Sequence, residues 1–144
     1  MSVTLDVNVL LYASDAASQY RDRAIELIDE AARGPQLVYL FWPTVIGYLR
    51  MATHPAIFAA PLSLEEARTN VSRLIGQPTV QTVGEGEGFW NRLTEVLNDA
   101  APIGNLVSDA HMVALMQEHG VRTVWTRDRD YRRFDGIRAV DPFA

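Results

Sequence analysis

The sequence predicts an α/β domain, a mostly parallel central sheet with helices on both faces, three layers in all. Three observations lead there. Short apolar runs alternate along the chain with longer stretches whose apolar residues recur at helical spacing. Gly and Pro fall between these segments, where the chain must turn. Finally, 144 residues of which 48% are apolar suit one domain with a single core. No linker, repeat or low-complexity stretch interrupts it, so residues 1–144 are read as one domain. Strands separated by helices pair in parallel, and such sheets are covered on both sides.

Taken in order, SVTLD is the first strand. It runs straight into Asp6, and two residues later, at Asn8, LDVNVLLYA turns apolar as a helix begins. From Ser18 to Arg33, Tyr20, Ala24, Leu27, Ile28 and Ala31 fall at helical spacing, and Gly34 and Pro35 stop the helix. QLVYLF (Gln36 to Phe41) is a buried strand. Pro43 then suits the first turn of a helix carrying Val45, Ile46 and Leu49, which ends near His54-Pro55.

Ser63 and Glu66 in SLEE form a capping box, with Leu64, Ala67, Val71, Leu74 and Ile75 as the stripe behind it. Gly76 and Pro78 end that helix, and TVQTV (Thr79 to Val83) is a strand. The loop GEGEG (Gly84 to Gly88) reads as flexible and acidic, without a function. Phe89, Trp90, Leu93, Val96 and Leu97 mark another amphipathic helix. After Pro102 and Gly104, NLVSDAHMVALMQEHG is a long helix with Gly120 just past its end. TVWT (Thr123 to Thr126) and IRAV (Ile137 to Val140) are the last strands. Trp42, Trp90 and Trp125 read as core or near-core, with Phe89 and Trp90 alternatively lying under a partner, since aromatics are enriched at interfaces.

Composition excludes several chemistries. There is no cysteine, so disulfides, zinc ribbons and thiol catalysis are out. There is no lysine either, which removes a Walker-type P-loop and Schiff-base chemistry. No apolar stretch is long enough to span a bilayer, and no basic-then-apolar leader is visible, so the cytoplasm is the expected location, with no membrane. The net charge of −5 argues against a nucleic-acid binder at first sight. The charge is uneven, however. Arg122, Arg127, Arg129, Arg132, Arg133 and Arg138 crowd into the C-terminal segment, a local basic patch that acids elsewhere do not abolish.

Open parallel sheets place their sites at the carboxyl ends of strands. Asp6 ends the first strand, Asp128 lies just past TVWT, Asp130 follows two residues on, and Asp109 sits in the first half of the long helix. Singly, each has an ordinary role. Asp6 could cap the helix that follows, Asp128 and Asp130 could be turn residues paired with Arg, and Ser108 could serve as a local cap beside Asp109. Asp109 is the hardest to set aside, because Leu106, Ala110, Val113 and Ala114 around it suggest burial. Together the acids would repel one another unless a divalent cation sat among them. With no His or Cys partner, the donors suit Mg²⁺ or Mn²⁺. Such an ion can orient water for attack on a phosphodiester. His54, His111 and His119 lack ligand spacing and read as ordinary helix residues.

LDVNVLLY, NLVSDAHMVALMQEHG and TVWTRDRDYRRFDGIR resemble the PIN domain, and within it the VapC-type toxins of bacterial toxin–antitoxin pairs. The resemblance spans the whole chain in order and spacing. It implies a three-layer PIN-like fold and a Mg²⁺-dependent endoribonuclease, with Mn²⁺ substituting, that cleaves structured RNA (tRNA or rRNA) to arrest translation. It implies silencing by a cognate VapB-type antitoxin, and a homodimer or a toxin–antitoxin hetero-oligomer. By match of motif, Asp6, Asp109 and Asp128 fall on the family's metal positions, and Asp130 is an accessory catalytic acid. Asn8 would orient Asp6 or a water, or else cap the helix; Arg127 and Arg129, with Arg132 and Arg133, would grip RNA phosphates or else pair with Asp128, Asp130 and Asp135.

The chain departs from the pattern at one place. The family generally carries a further acid, usually Glu, on the helix after the second strand, and none stands between Trp42 and Pro55; Ile46-Gly47-Tyr48 occupy the spot. That leaves a second metal site in question and supports an alternative, a catalytically weakened module acting mainly by partner binding. A haloacid-dehalogenase-like phosphatase or a receiver domain also places acids after its first strand. Both need a late Lys, and the former a second Asp where Asn8 stands.

Overall fold

A computed structural model describes residues 1–144. The elements run β1 (Ser2–Leu5), α1 (Val7–Ser14), α2 (Arg21–Arg33), β2 (Leu37–Phe41), α3 (Trp42–Ala52), α4 (Leu64–Ile75), β3 (Val80–Val83), α5 (Phe89–Ala100), α6 (Leu106–Glu118), β4 (Thr123–Trp125) and β5 (Arg138–Val140), with a 3₁₀ turn at Arg129–Arg133 between the last two strands. The strands form one sheet in the order β3-β2-β1-β4-β5. Every neighbouring pair is parallel, with Thr4 opposite both Tyr39 of β2 and Val124 of β4.

Alternation along the strands divides the core between the two faces. Val3, Leu5, Val38 and Leu40 meet Leu10, Leu11, Ala31, Val45, Tyr48, Ala67 and Leu74 from the first four helices. On the other face, Phe41 and Val124 meet Val96 of α5 and the buried run Met112–Met116 of α6, with Tyr131 and Phe134 beside them. Helix α6 lies between the sheet and α5, which is why its middle is apolar all round and shows no clear stripe.

The chain winds from β1 out to β3, then returns to place β4 and β5 on the other side of β1. That reversal opens a crevice beyond the carboxyl ends of β1 and β4, where α/β sheets hold their ligands. The Asp6 N–H donates to the Trp125 carbonyl at 3.0 Å, so the β1–β4 ladder continues to the lip of the crevice.

The sequence signals with strong local chemistry hold. Ser63 and Glu66 form both halves of the capping box, and Gly120 sits past α6 with φ 70°. Others shift. Helix α2 starts at Arg21 rather than Ser18, because the Asp15 carboxylate accepts the Ala17 N–H (3.0 Å) and the Ser18 hydroxyl the Tyr20 N–H (3.1 Å), which keeps this stretch in turns.

Trp42 and Trp90 are not core residues: they are 46% and 71% exposed. Each lies in the first turn of a helix, and in α5 it is Phe89, Leu93 and Leu97 that turn inward. The Gly84–Gly88 loop is not free either. Glu85 bonds His111 Nε2 at 2.6 Å, Gly86 N–H donates to Glu118 at 3.0 Å, and His119 Nε2 lies 2.9 Å from the Gly84 carbonyl. Gly84 is needed there, since a Cβ would come within 2.8 Å of Trp42 Cδ1.

A candidate metal centre

Asp6 is both a cap and a site residue. It is the N-cap of α1, with Oδ1 reaching the Asn8 N–H at 3.5 Å. Its other oxygen, Oδ2, accepts the Thr126 hydroxyl at 2.6 Å. Burial raises its pKa above the ordinary value; the Thr126 and Asn8 bonds offset part of that, and the Asp128 charge adds to it. Asn8 meets Asp6 through its backbone, so the capping role belongs to Asp6.

Thr126 ties the two central strands together at the crevice. Its hydroxyl donates to Asp6 and accepts the Asp128 N–H at 2.9 Å. Asp128 then caps the 3₁₀ turn, its Oδ1 accepting the Asp130 N–H at 2.9 Å. These bonds hold the start of the turn so that Asp128 and Asp130 both face Asp109, which stands in the first turn of α6. Carboxylate oxygens of Asp109, Asp128 and Asp130 lie within 4.8 Å of one another. Asp6 stands just outside that trio.

The electrostatics report the crowding. Asp109 is pushed up to about 6, first by burial, then by Asp128, Asp6 and Asp130. Asp128, Asp6 and Asp130 therefore all bear on Asp109. Tyr131, buried beside them, keeps its proton well above the ordinary phenol range, through burial first and then the charges of Asp6, Asp109 and Asp128.

Neither Thr126 nor Tyr131 was singled out by sequence reasoning. For Thr126 a signal existed: a hydroxyl at the buried end of a strand, two residues before an acid, is placed to bond both. Tyr131 gave none apart from its position between charged residues.

The arginines divide. Arg127 lies with its guanidinium 4.3 Å from the Tyr20 ring centre and 3.6 Å from the Asp141 carboxylate. Tyr20 also packs against Phe143 and Tyr12, so the segment after β5 packs against α1 and the start of α2. Arg129 is exposed and makes no ion pair. Gly47 of α3 faces the start of α1: a Cβ there would sit 3.6 Å from Val7 Cγ2, one residue from Asp6.

An all-carboxylate donor set, held close enough to raise the pKa of one member, fits a hard divalent cation and no softer metal. No helix of the chain is long and apolar enough to cross a membrane.

The fold is that of a PIN domain, and the family model of that name matches residues 3–137. Ribonuclease VapC48 of Mycobacterium tuberculosis is 49% identical over 144 residues, which cover 100% of this chain and 99% of that protein. The chain belongs to the PIN-domain family, among its VapC ribonucleases. Two solved structures share the fold. M. tuberculosis VapC20, described as a sarcin–ricin loop cleaving toxin, superposes with a TM-score of 0.67 at 14% identity, over 94% of this chain and 98% of its own. VapBC2 from Rickettsia felis, bound to a fragment of promoter DNA, gives 0.67 at 12% identity, over 97% and 98%.

Proposed function

We propose that this protein is the toxin of a toxin–antitoxin pair, an endoribonuclease that cuts structured RNA (tRNA or rRNA) with Mg²⁺, or Mn²⁺ in its place. The observation that carries the proposal is the carboxylate cluster at the sheet's switch point, Asp109, Asp128 and Asp130 within 4.8 Å of one another and Asp6 near enough for its charge to act on Asp109. Asp6, Asp109 and Asp128 would hold the ion, and Asp130 is the accessory acid. When bound, the ion supplies a Lewis acid for the phosphoryl oxygens and lowers the pKa of the attacking water.

The chain's own residues set the geometry. Thr126 fixes the Asp6 carboxylate, and the Asp130 N–H fixes Asp128. Asp130 is exposed and its side chain accepts no bond from the protein, so it is free to take the proton released as water oxygen bonds to phosphorus and the ribose–phosphate bond breaks. Asn8 and Arg129 would contact the flanking backbone. Arg127 would contribute its charge from the fixed position that Tyr20 and Asp141 give it. A VapB-type antitoxin, a homodimer and a cytoplasmic setting complete the proposal, supported by the relatives' kind; the exposed Trp90 at the start of α5 would lie under the antitoxin.

The test is induction of the protein alone, with the ends of cellular RNA mapped. Growth arrest with new RNA ends is expected. Asp6→Asn or Asp109→Asn should lose more than the roughly 10–100-fold that removing an outer-shell partner of a metal costs. Variants that arrest growth and cut as strongly as the parent would show that these acids are not the chemistry. Antitoxin capture with no cleavage under any divalent ion would instead favour the partner-binding module.

A further inference from the structure

Beyond the acids, the chain carries a run of guanidiniums that nothing in the protein holds. Arg129, Arg132 and Arg133 lie on the 3₁₀ turn that Asp128 caps; Arg138 opens β5 and Arg122 directly precedes β4. All five are exposed. None forms an ion pair, although the chain has 18 acids for its 13 basic residues. The arginines that are paired are Arg21, Arg23, Arg92 and Arg127.

The turn begins at the carboxyl edge of the sheet, beside the acidic trio, and the chain then passes through Gly136 to the amino edge, where β5 starts. There the Arg138 N–H donates to the Arg122 carbonyl at 2.7 Å. Both arginines line an open pocket of about 530 Å³ together with Gly120 and Gly136. Both glycines have positive φ, 70° and 78°, and a Cβ on either would meet nothing within 4 Å. The pocket therefore has two cations at its wall and bare backbone beside them.

We propose that this pocket binds a phosphate of the RNA backbone, and that Arg129, Arg132 and Arg133 form the track leading to it from the acidic site. The inference rests on the ribonuclease reading given above. A chain of net charge −5 repels RNA as a whole, and its acids repel phosphate most strongly where cleavage must occur. Approach then depends on cations grouped locally, and the turn that carries Arg129, Arg132 and Arg133 starts at Asp128 of the acidic site and leads along the chain to Arg138. Arg also suits phosphate, because its planar fork bonds two oxygens at once. β4 is three residues long, roughly 10 Å, so the phosphate held at the amino edge lies some nucleotides from the one that is cut. An acidic protein segment is the competing occupant. It is the less favoured because nothing would then require continuity with the catalytic acids.

The experiment measures binding of a labelled RNA stem–loop by anisotropy against salt, with Ca²⁺ as the divalent ion and the probe's integrity checked on a gel. Arg122→Gln/Arg138→Gln should bind about 3–10-fold more weakly, with the slope of log affinity against log salt shallower by about 1. Arg122→Lys/Arg138→Lys keeps both charges and should restore most of the slope. Arg68→Gln, an exposed change on α4, should bind like the parent, and thermal melts confirm that each variant is folded.

An unchanged Kd and slope in the double Gln variant, with a parent that binds and cuts RNA, would overturn the pocket's assignment alone. A parent that neither binds nor cuts RNA would overturn the ribonuclease reading and this inference with it. Loss of a labelled oligoglutamate peptide without loss of RNA would give the pocket to an acidic protein partner and overturn the proposal.

Discussion

Asp109 stands in the first turn of a helix, where a carboxylate is normally favoured by the helix dipole, yet its pKa is raised to about 6 from an ordinary 3.8. Burial and three neighbouring acids outweigh the dipole. The sign for stability follows. Between about pH 4 and pH 6 the folded chain keeps a proton that the unfolded chain has released, so metal-free stability falls as pH rises across that window and levels off above it. Asp109→Asn removes the repulsion. Because the carboxylate is half-exposed and water screens it, the metal-free variant should gain only about 1 kcal/mol at pH 7, and nothing near pH 4. Urea melts at the two pH values check this; a variant less stable than the parent at pH 7 would mean that Asp109 is paired rather than crowded.

Thr126 gives the opposite kind of test. Thr126→Val keeps the shape but strips a buried carboxylate of its donor and the Asp128 N–H of its acceptor. The expected cost is about 1–3 kcal/mol, with metal affinity or activity down roughly 10–100-fold. Thr126→Ser should recover most of both, which a mere loss of packing volume would not.

Helix α3 records where the chain departs from its family. Gly47 is a helical residue with ordinary φ, and a Cβ there meets only Met51 Cε at 3.4 Å and Val7 Cγ2 at 3.6 Å. Gly47→Ala should therefore stabilise the fold by about 0.5–1 kcal/mol through helix propensity. Gly47→Glu, compared with that Ala variant, should tighten Mn²⁺ binding in a calorimetric titration if its carboxylate passes Val7 to reach Asp6; equal affinities would show that it points past the site.

Elements whose ends are written in local chemistry were legible in the sequence. Ser63 and Glu66 lie three residues apart, Pro43 stands in the first turn of α3 and Gly120 follows α6, and each signal involves only near neighbours. Asp6, Asp128 and Asp130 were expected at one edge because they follow strand ends in this fold class; Asp109, in the first turn of α6, is brought to that edge by the packing of its helix. The fate of the Gly84–Gly88 loop was not, since Glu85 finds His111 some 26 residues away. Nor was the exposure of Trp42 and Trp90, because apolar character marks a residue as able to be buried without saying which face its helix presents.

At the scale of the whole molecule, the strand order β3-β2-β1-β4-β5 places the acid just after β1, that of α6 and those of the segment after β4 around one crevice. Three segments far apart in sequence are brought together there with like charges, so the fold itself works against the repulsion. A cation that binds only where the acids are assembled should therefore stabilise the whole domain, by RT ln(1 + [L]/Kd), or about 2.7 kcal/mol when the metal is at 100 times its Kd. For a domain of this size that corresponds to a rise in Tm of about 5–10 °C. The rise should be present at pH 7.5 and much smaller at pH 5, where protons compete for Asp109, whose pKa is about 6. Asp109→Asn should start from a higher metal-free Tm and respond weakly to Mn²⁺ at either pH. Thermal melts with and without Mn²⁺, for parent and variant at both pH values, distinguish the cases. An equal rise in all four would place the ion on surface acids away from the crevice. No rise in the parent at pH 7.5 would mean that the trio holds no ion until RNA supplies the remaining ligands.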